Sequence, residues 1–143
     1  MSEATRITRT VETDLQPDDL WALLSEGDAW ATWMVDEADV DVRPGAGGTV
    51  VDDGVERTVR IDRLDTDGDA CRVGFTWWPD DRPDLASTVE LVVLPAATGS
   101  RLRVVETYAS TSTASALTTA IAAPHAWDVR LMLLVAQALA VYV

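Results

Sequence analysis

The first third of the chain changes from an alternating pattern to a helical one. Residues 6–14 alternate polar and apolar side chains, which predicts a first strand. Pro17 and the two acids after it mark a helix start, because proline fits a first turn and carboxylates favour the positive end of the helix dipole. Gly27 ends that helix, and the tryptophan-bearing residues 28–34 form a second short helix.

From residue 37 to residue 108 the apolar period is two, which predicts strands. Glycine-containing turns and one exposed loop, 79–84, separate the predicted strands from one another. Parallel neighbours need long crossovers, so these short links predict antiparallel pairing. With the first strand they make a seven-stranded sheet. The six further strands are expected at 39–43, 49–51, 55–64, 71–78, 88–94 and 101–108.

The C-terminal segment predicts a long buried helix. Residues 109–123 are rich in Ser, Thr and Ala and read as either a loop or a weak helix, whereas Pro124 suits a first helical turn. Apolar residues then follow helical spacing on one side, and Met132, Leu133 and Val135 make the other side apolar too. Burial on most of its girth is therefore expected. A curved antiparallel sheet around this helix gives an α+β fold, with residues 1–143 as one domain.

The charge excludes several classes of partner. The formal net charge is −13, and all eleven basic residues are arginines. Such an acidic surface, typical of high-GC or salt-adapted organisms, repels phosphate backbones and anionic lipids, so neither nucleic acid nor a membrane is expected as a partner. The N-terminus lacks the pattern of a signal peptide, and the final apolar run is too short to span a bilayer.

The titratable residues favour structural explanations over chemistry. One cysteine, Cys71, allows no intramolecular disulfide, and with a single histidine the chain has no usual zinc set, so we expect a cytoplasmic protein without metal or cofactor. His125 is interpreted as a rim residue, Arg130 as the partner of a surface acid, and Glu106 as a surface residue. No catalytic residue is predicted.

Five segments of the chain together form a recognisable pattern. They are Trp21-Ala22-Leu23-Leu24, Trp30-Ala31-Thr32-Trp33-Met34, Val42-Arg43-Pro44-Gly45-Ala46-Gly47-Gly48, Val73-Gly74-Phe75-Thr76-Trp77, and Trp127 with Leu131 and Leu134. In this order they resemble the START-like superfamily, and within it the branch named for activators of heat-shock protein 90 ATPase, over nearly the whole chain. One departure is Met34, which stands where that branch has the second tryptophan of its opening pair.

The resemblance implies a helix-grip fold with a cavity between the sheet and the last helix. Members bind lipids, polyketides, plant hormones or other apolar ligands, so the expected role is non-catalytic binding of a small apolar molecule. Aromatic side chains commonly line such pockets, although they also fill cores and can close a cavity. The predicted ligand-binding residues are Trp33, Met34, Phe75, Trp77, Tyr108, Trp127, Leu131 and Leu134.

Two other functions stay open at this point. Because a few members are cyclases or dehydratases, an enzyme could use His125, Glu106 or Tyr108 to move a proton, which requires polar groups converging in the pocket. A co-chaperone or regulator-binding role would use an exposed Trp78 beside the acidic loop 79–84. Dimers are common in such folds, so a homodimer is a further expectation.

Overall fold

The strands and helices follow the order predicted from the sequence pattern. A computed structural model of the chain describes residues 5–68, 70–108 and 114–141. Two 3₁₀ helices, Gly27–Thr32 and Pro83–Leu85, accompany the main elements. The main elements are β1 (Thr5–Thr13), α1 (Pro17–Ser25), β2 (Glu37–Val40), β3 (Gly47–Asp52), β4 (Val55–Asp67), β5 (Ala70–Pro79), β6 (Ser87–Ala96), β7 (Gly99–Tyr108) and α2 (Ala114–Val141).

The sheet is antiparallel throughout the described residues. Its order is β1-β7-β6-β5-β4-β3-β2, so the first strand pairs with the last and the sequential hairpins fill the rest. Asp53 and Gly54 join β3 to β4 with φ angles of 52° and 76°. These left-handed angles are those of the tight hairpin turn that an Asp-Gly pair favours. The predicted α+β helix-grip fold is confirmed.

The core lies between the inward face of the sheet and the helices. Strand alternation sends every second residue to this face, where Ile61, Phe75 and Trp77 are almost fully buried. α1 adds Leu20 and α2 adds Trp127, both without exposed surface. The site described below lies at one end of this core.

The start of α2 differs from the sequence prediction. The helix begins at Ala114, so Pro124 lies inside it and not at its first turn. An interior proline removes one backbone hydrogen bond and costs about 3 kcal/mol. Alanine-rich sequence before Pro124 favours helix, and the turns after it are anchored in the core, which together outweigh that penalty. Residues 109–113 lie outside the described part of the chain.

Among the α2 residues whose burial the structure describes, one face only is buried, so the expectation of burial around most of the helix is wrong. Trp127, Leu131 and Leu134 enter the core, whereas Met132 is 67% exposed and Leu133 is 50% exposed. The reason is geometric, because the open sheet covers a single side of the helix. No helix in the described residues combines the length and apolar character needed to cross a bilayer.

Candidate functional site

A cavity of about 700 Å³, open to solvent, lies between α2 and the concave side of the sheet. Its walls come from α2, the segment after the first 3₁₀ helix, the β3–β4 hairpin and the inward faces of β5 and β7. The volume falls in the usual range for small-molecule sites. The side chains of Trp33, Met34, Val129 and Leu133 supply apolar lining, and the polar lining includes Asp52, Arg57, Glu106, Tyr108, His125 and Arg130.

Strand register brings the polar centre of the cavity together. Ser87 on β6 lies opposite Trp77 on β5 and opposite Tyr108 on β7. All three point to the inward face, and Glu106 is the next inward residue along β7. The carboxylate of Glu106 is therefore within reach of side chains from both neighbouring strands.

Glu106 is a buried acceptor that joins four elements. It is 2% exposed. Trp77 Nε1 donates to its Oε2 at 2.9 Å, and Ser87 Oγ donates to the same oxygen at 2.6 Å. Trp127 Nε1, from α2, donates to Oε1 at 2.8 Å. The surface placement inferred from sequence is wrong, because residue 106 is in phase with the buried positions of β7 and hydrogen-bond donors compensate its burial.

Tyr108 keeps its proton in this environment. Burial, together with the neighbouring Glu106 carboxylate and a hydrogen bond to it, raises the pKa of Tyr108 above its usual value. Its hydroxyl is consequently a hydrogen-bond donor across the physiological pH range.

Arg130 is held by acceptors that belong to the cavity wall. Its Nε donates to the Met34 carbonyl at 3.0 Å, and a terminal nitrogen pairs with Asp52 Oδ2 at 2.5 Å. The guanidinium carbon lies 4.7 Å from the Trp127 ring centroid and 5.3 Å from that of Trp77. The expected pairing with a surface acid is wrong, because both members of the ion pair are largely buried. Desolvation explains why this arginine collects several partners.

Arg57 reaches the cavity from β4 and is less well satisfied. Its guanidinium carbon lies 4.9 Å from the Trp77 ring centroid. Its Nε is the single buried side-chain nitrogen or oxygen in the described residues without a hydrogen-bond partner. Leaving a buried donor unpaired costs about 1–3 kcal/mol. Sequence reasoning did not select this residue, although it shares the inward phase of Val59 and Ile61.

The predicted ligand-binding residues separate into two groups. Trp33, Met34, Trp77 and Tyr108 line the cavity. The other four lie in the hydrophobic core or its wall and do not line it, namely Phe75, Trp127, Leu131 and Leu134. The ligand-binding role of all eight stays a prediction.

The remaining candidates lie at the rim or away from the cavity. His125 lines the cavity mouth and is exposed. Cys71 is partly buried against the core, and Trp78 is half-buried on the strand face opposite to Trp77. Within residues 5–68, 70–108 and 114–141 no three His, Cys, Asp or Glu side chains are grouped to hold a metal ion.

Comparison with solved structures finds the same fold at low sequence identity. MLL2253 from Mesorhizobium loti is 18% identical with a TM-score of 0.75, and the match covers 94% of this chain and 96% of that one. CalU16 from Micromonospora echinospora is 20% identical with a TM-score of 0.61, covering 93% and 76%. DynU16, described as a protein in the dynemicin biosynthetic locus, is 17% identical with a TM-score of 0.69, covering 91% and 45%.

Sequence comparison identifies the family. Curated protein sequences give no match. A family model, described as activator of Hsp90 ATPase homolog 1-like protein, matches residues 14–136, which is most of the chain and agrees with the resemblance found in the sequence. The chain belongs to the family of activator of Hsp90 ATPase homolog 1-like proteins.

Proposed function

We propose that this protein binds a small, largely apolar molecule in the cavity between the sheet and α2. The supporting observation is an open cavity of about 700 Å³ with Trp33, Met34 and Leu133 in its lining. Burial of apolar ligand surface contributes about 25 cal/mol per Å² before the entropy lost on binding is subtracted. Trp33 Nε1 also donates to the Leu23 carbonyl at 3.0 Å, which holds the indole in place and keeps the wall preorganised.

A neutral fluorescent dye tests this proposal. N-phenyl-1-naphthylamine fluoresces strongly in apolar surroundings, and we expect saturable binding with one dye per chain. Ala126 lines the cavity, so Ala126→Trp should fill it and weaken binding by about tenfold or more. Ala136 is exposed on the same helix outside the cavity, so Ala136→Trp is the matched control. If both variants bind the dye like the original protein, the cavity is not the binding site and the proposal fails.

A second candidate function is proton transfer of the cyclase or dehydratase type. It is favoured by the convergence of Glu106 and Tyr108 in the cavity, which an enzyme of this kind requires. Tyr108 retains its proton near neutral pH and can turn its hydroxyl from Glu106 to donate a hydrogen bond to a ligand carbonyl oxygen. His125, which lines the cavity, would take the proton from the carbon beside that carbonyl, and Glu106, held by its hydrogen-bond donors, would orient the site. Exchange of the methyl hydrogens of 2-acetonaphthone in D₂O, followed by proton NMR, tests it. No acceleration over buffer, or equal acceleration by Tyr108→Phe, removes this candidate.

A further inference from the structure

Arg57 is the cavity arginine whose bonding is incomplete. Two arginines line the cavity, and Arg130 is occupied by Asp52 and the Met34 carbonyl. Arg57 forms no ion pair with any described residue, and its buried Nε has no hydrogen-bond partner. The Nε is enclosed by protein, but the Arg57 side chain lines the cavity without a carboxylate partner, so its guanidinium is suited to an acceptor that a ligand brings.

The surroundings of Arg57 hold its guanidinium in position. The residue lies opposite Pro79 in the β4–β5 pair, close to the β3–β4 hairpin. Its guanidinium lies over the Trp77 ring, and Trp77 is itself anchored through Nε1 to Glu106. Stacking on an aromatic face restricts the planar group, so its N–H fork is presented to the cavity with reduced freedom.

We propose that the ligand carries a single carboxylate, which Arg57 binds through its guanidinium fork. This inference rests on the proposed function of the cavity. Two carboxylate oxygens match two guanidinium N–H groups, which makes the pair directional and strong. Asp52 and Glu106 line the same cavity, so a dianion such as a phosphate monoester meets more repulsion than a monoanion. The apolar body of the acid then lies against the Trp33 and Met34 side of the cavity.

Matched naphthalene probes test the carboxylate. We expect 2-naphthoic acid to bind about tenfold or more tightly than 2-naphthamide near neutral pH, because the charged acceptor forms the stronger bonds. 2-Naphthyl phosphate should bind more weakly than the acid. Arg57→Gln should abolish the preference for the acid. Arg103→Gln is the control, because it removes the same charge from an exposed position outside the cavity.

The outcomes separate this inference from the function that it refines. If the acid and the amide bind equally well, or Arg57→Gln keeps the preference, the inference is overturned and cavity binding stands. If the phosphate binds most tightly, the carboxylate class is overturned. If neither the naphthyl probes nor the neutral dye bind, both proposals fall.

Measurement on the unaltered protein avoids dependence on the folding of a variant. The Arg57 Nε–H resonance in a ¹H–¹⁵N spectrum should shift on addition of 2-naphthoic acid and stay in place with 2-naphthamide. If the chemical shift of this resonance does not change when 2-naphthoic acid saturates the protein, the inference is overturned.

Discussion

The hydrogen-bond centre at Glu106 gives the sharpest stability prediction. We consider Glu106→Gln, which keeps the size of the side chain and replaces one oxygen by an NH₂ group. The indoles of Trp77 and Trp127 and the hydroxyl of Ser87 donate to the carboxylate, to which Tyr108 is also hydrogen-bonded. Whichever way the amide is turned, its nitrogen faces at least one indole N–H. The substitution therefore creates a buried donor without an acceptor.

The expected magnitude follows from these contacts. One unpaired buried N–H costs about 1–3 kcal/mol, and the remaining bonds lose their charge assistance, which adds about 1–2 kcal/mol. The amide is easier to desolvate than the carboxylate, and this offsets part of the loss. A net decrease of about 2–4 kcal/mol in the free energy of unfolding remains. At about 4 °C per kcal/mol for a chain of this size, Tm should fall by roughly 8–16 °C.

Thermal unfolding followed by near-ultraviolet circular dichroism measures this change. Glu90→Gln is the matched control, since Glu90 is partly exposed and lies 4.0 Å from Arg63 in a weak surface pair. Because exposed pairs contribute little, the control should stay within about 2 °C of the original protein. Equal Tm values for Glu106→Gln and Glu90→Gln would refute the assignment of Glu106 as a central buried acceptor.

Two further predictions concern other parts of the fold. The folded state raises the pKa of Tyr108, so above pH 10 the unfolded chain loses the phenol proton first and the free energy of unfolding should fall as the pH rises. Tyr108→Phe should make this fall shallower in urea titrations at pH 9 to 11. An unchanged slope would contradict the burial of the Tyr108 hydroxyl. A Cβ on Gly27 would lie 1.9 Å from the Val40 carbonyl oxygen, so Gly27→Ala should strongly lower the urea midpoint of unfolding. Gly74→Ala is the control, because a Cβ there meets nothing closer than 3.4 Å and the midpoint should hardly change. Similar midpoints for the two variants would refute the close approach of the backbone at Gly27.

The proposed binding in the cavity and its proposed preference for a carboxylate are tested independently of these stability measurements. Ala126→Trp fills space at the cavity wall, whereas Arg57→Gln removes one recognition group and leaves the apolar lining unchanged. Ala126→Trp therefore tests the contribution of apolar burial to the binding free energy, and Arg57→Gln tests the contribution of charge-assisted hydrogen bonding.

Local sequence was enough to predict most of the architecture. Alternation, glycine turns and short links determine an antiparallel sheet, because side chains on a strand alternate in direction and short connections forbid parallel pairing. The Asp53-Gly54 turn shows this directly, since its left-handed angles are a local property of those residues. Of the four cavity-lining residues predicted from the resemblance, Trp77 and Tyr108 lie on the strands expected of them. Trp33 and Met34 follow the short helix that was expected to carry them, because that helix ends at Thr32.

Only the tertiary structure decided which polar groups meet. Alternation shows that Glu106 and Arg57 share phases with buried neighbours, but burial of a charge depends on donors and acceptors from distant elements. Trp127 reaches Glu106 from α2, and Asp52 reaches Arg130 from the β3–β4 hairpin. Those encounters depend on sheet curvature and helix docking, which no local pattern encodes. The sequence by itself determined the sheet and its order of elements, and packing determined the polar centre of the cavity.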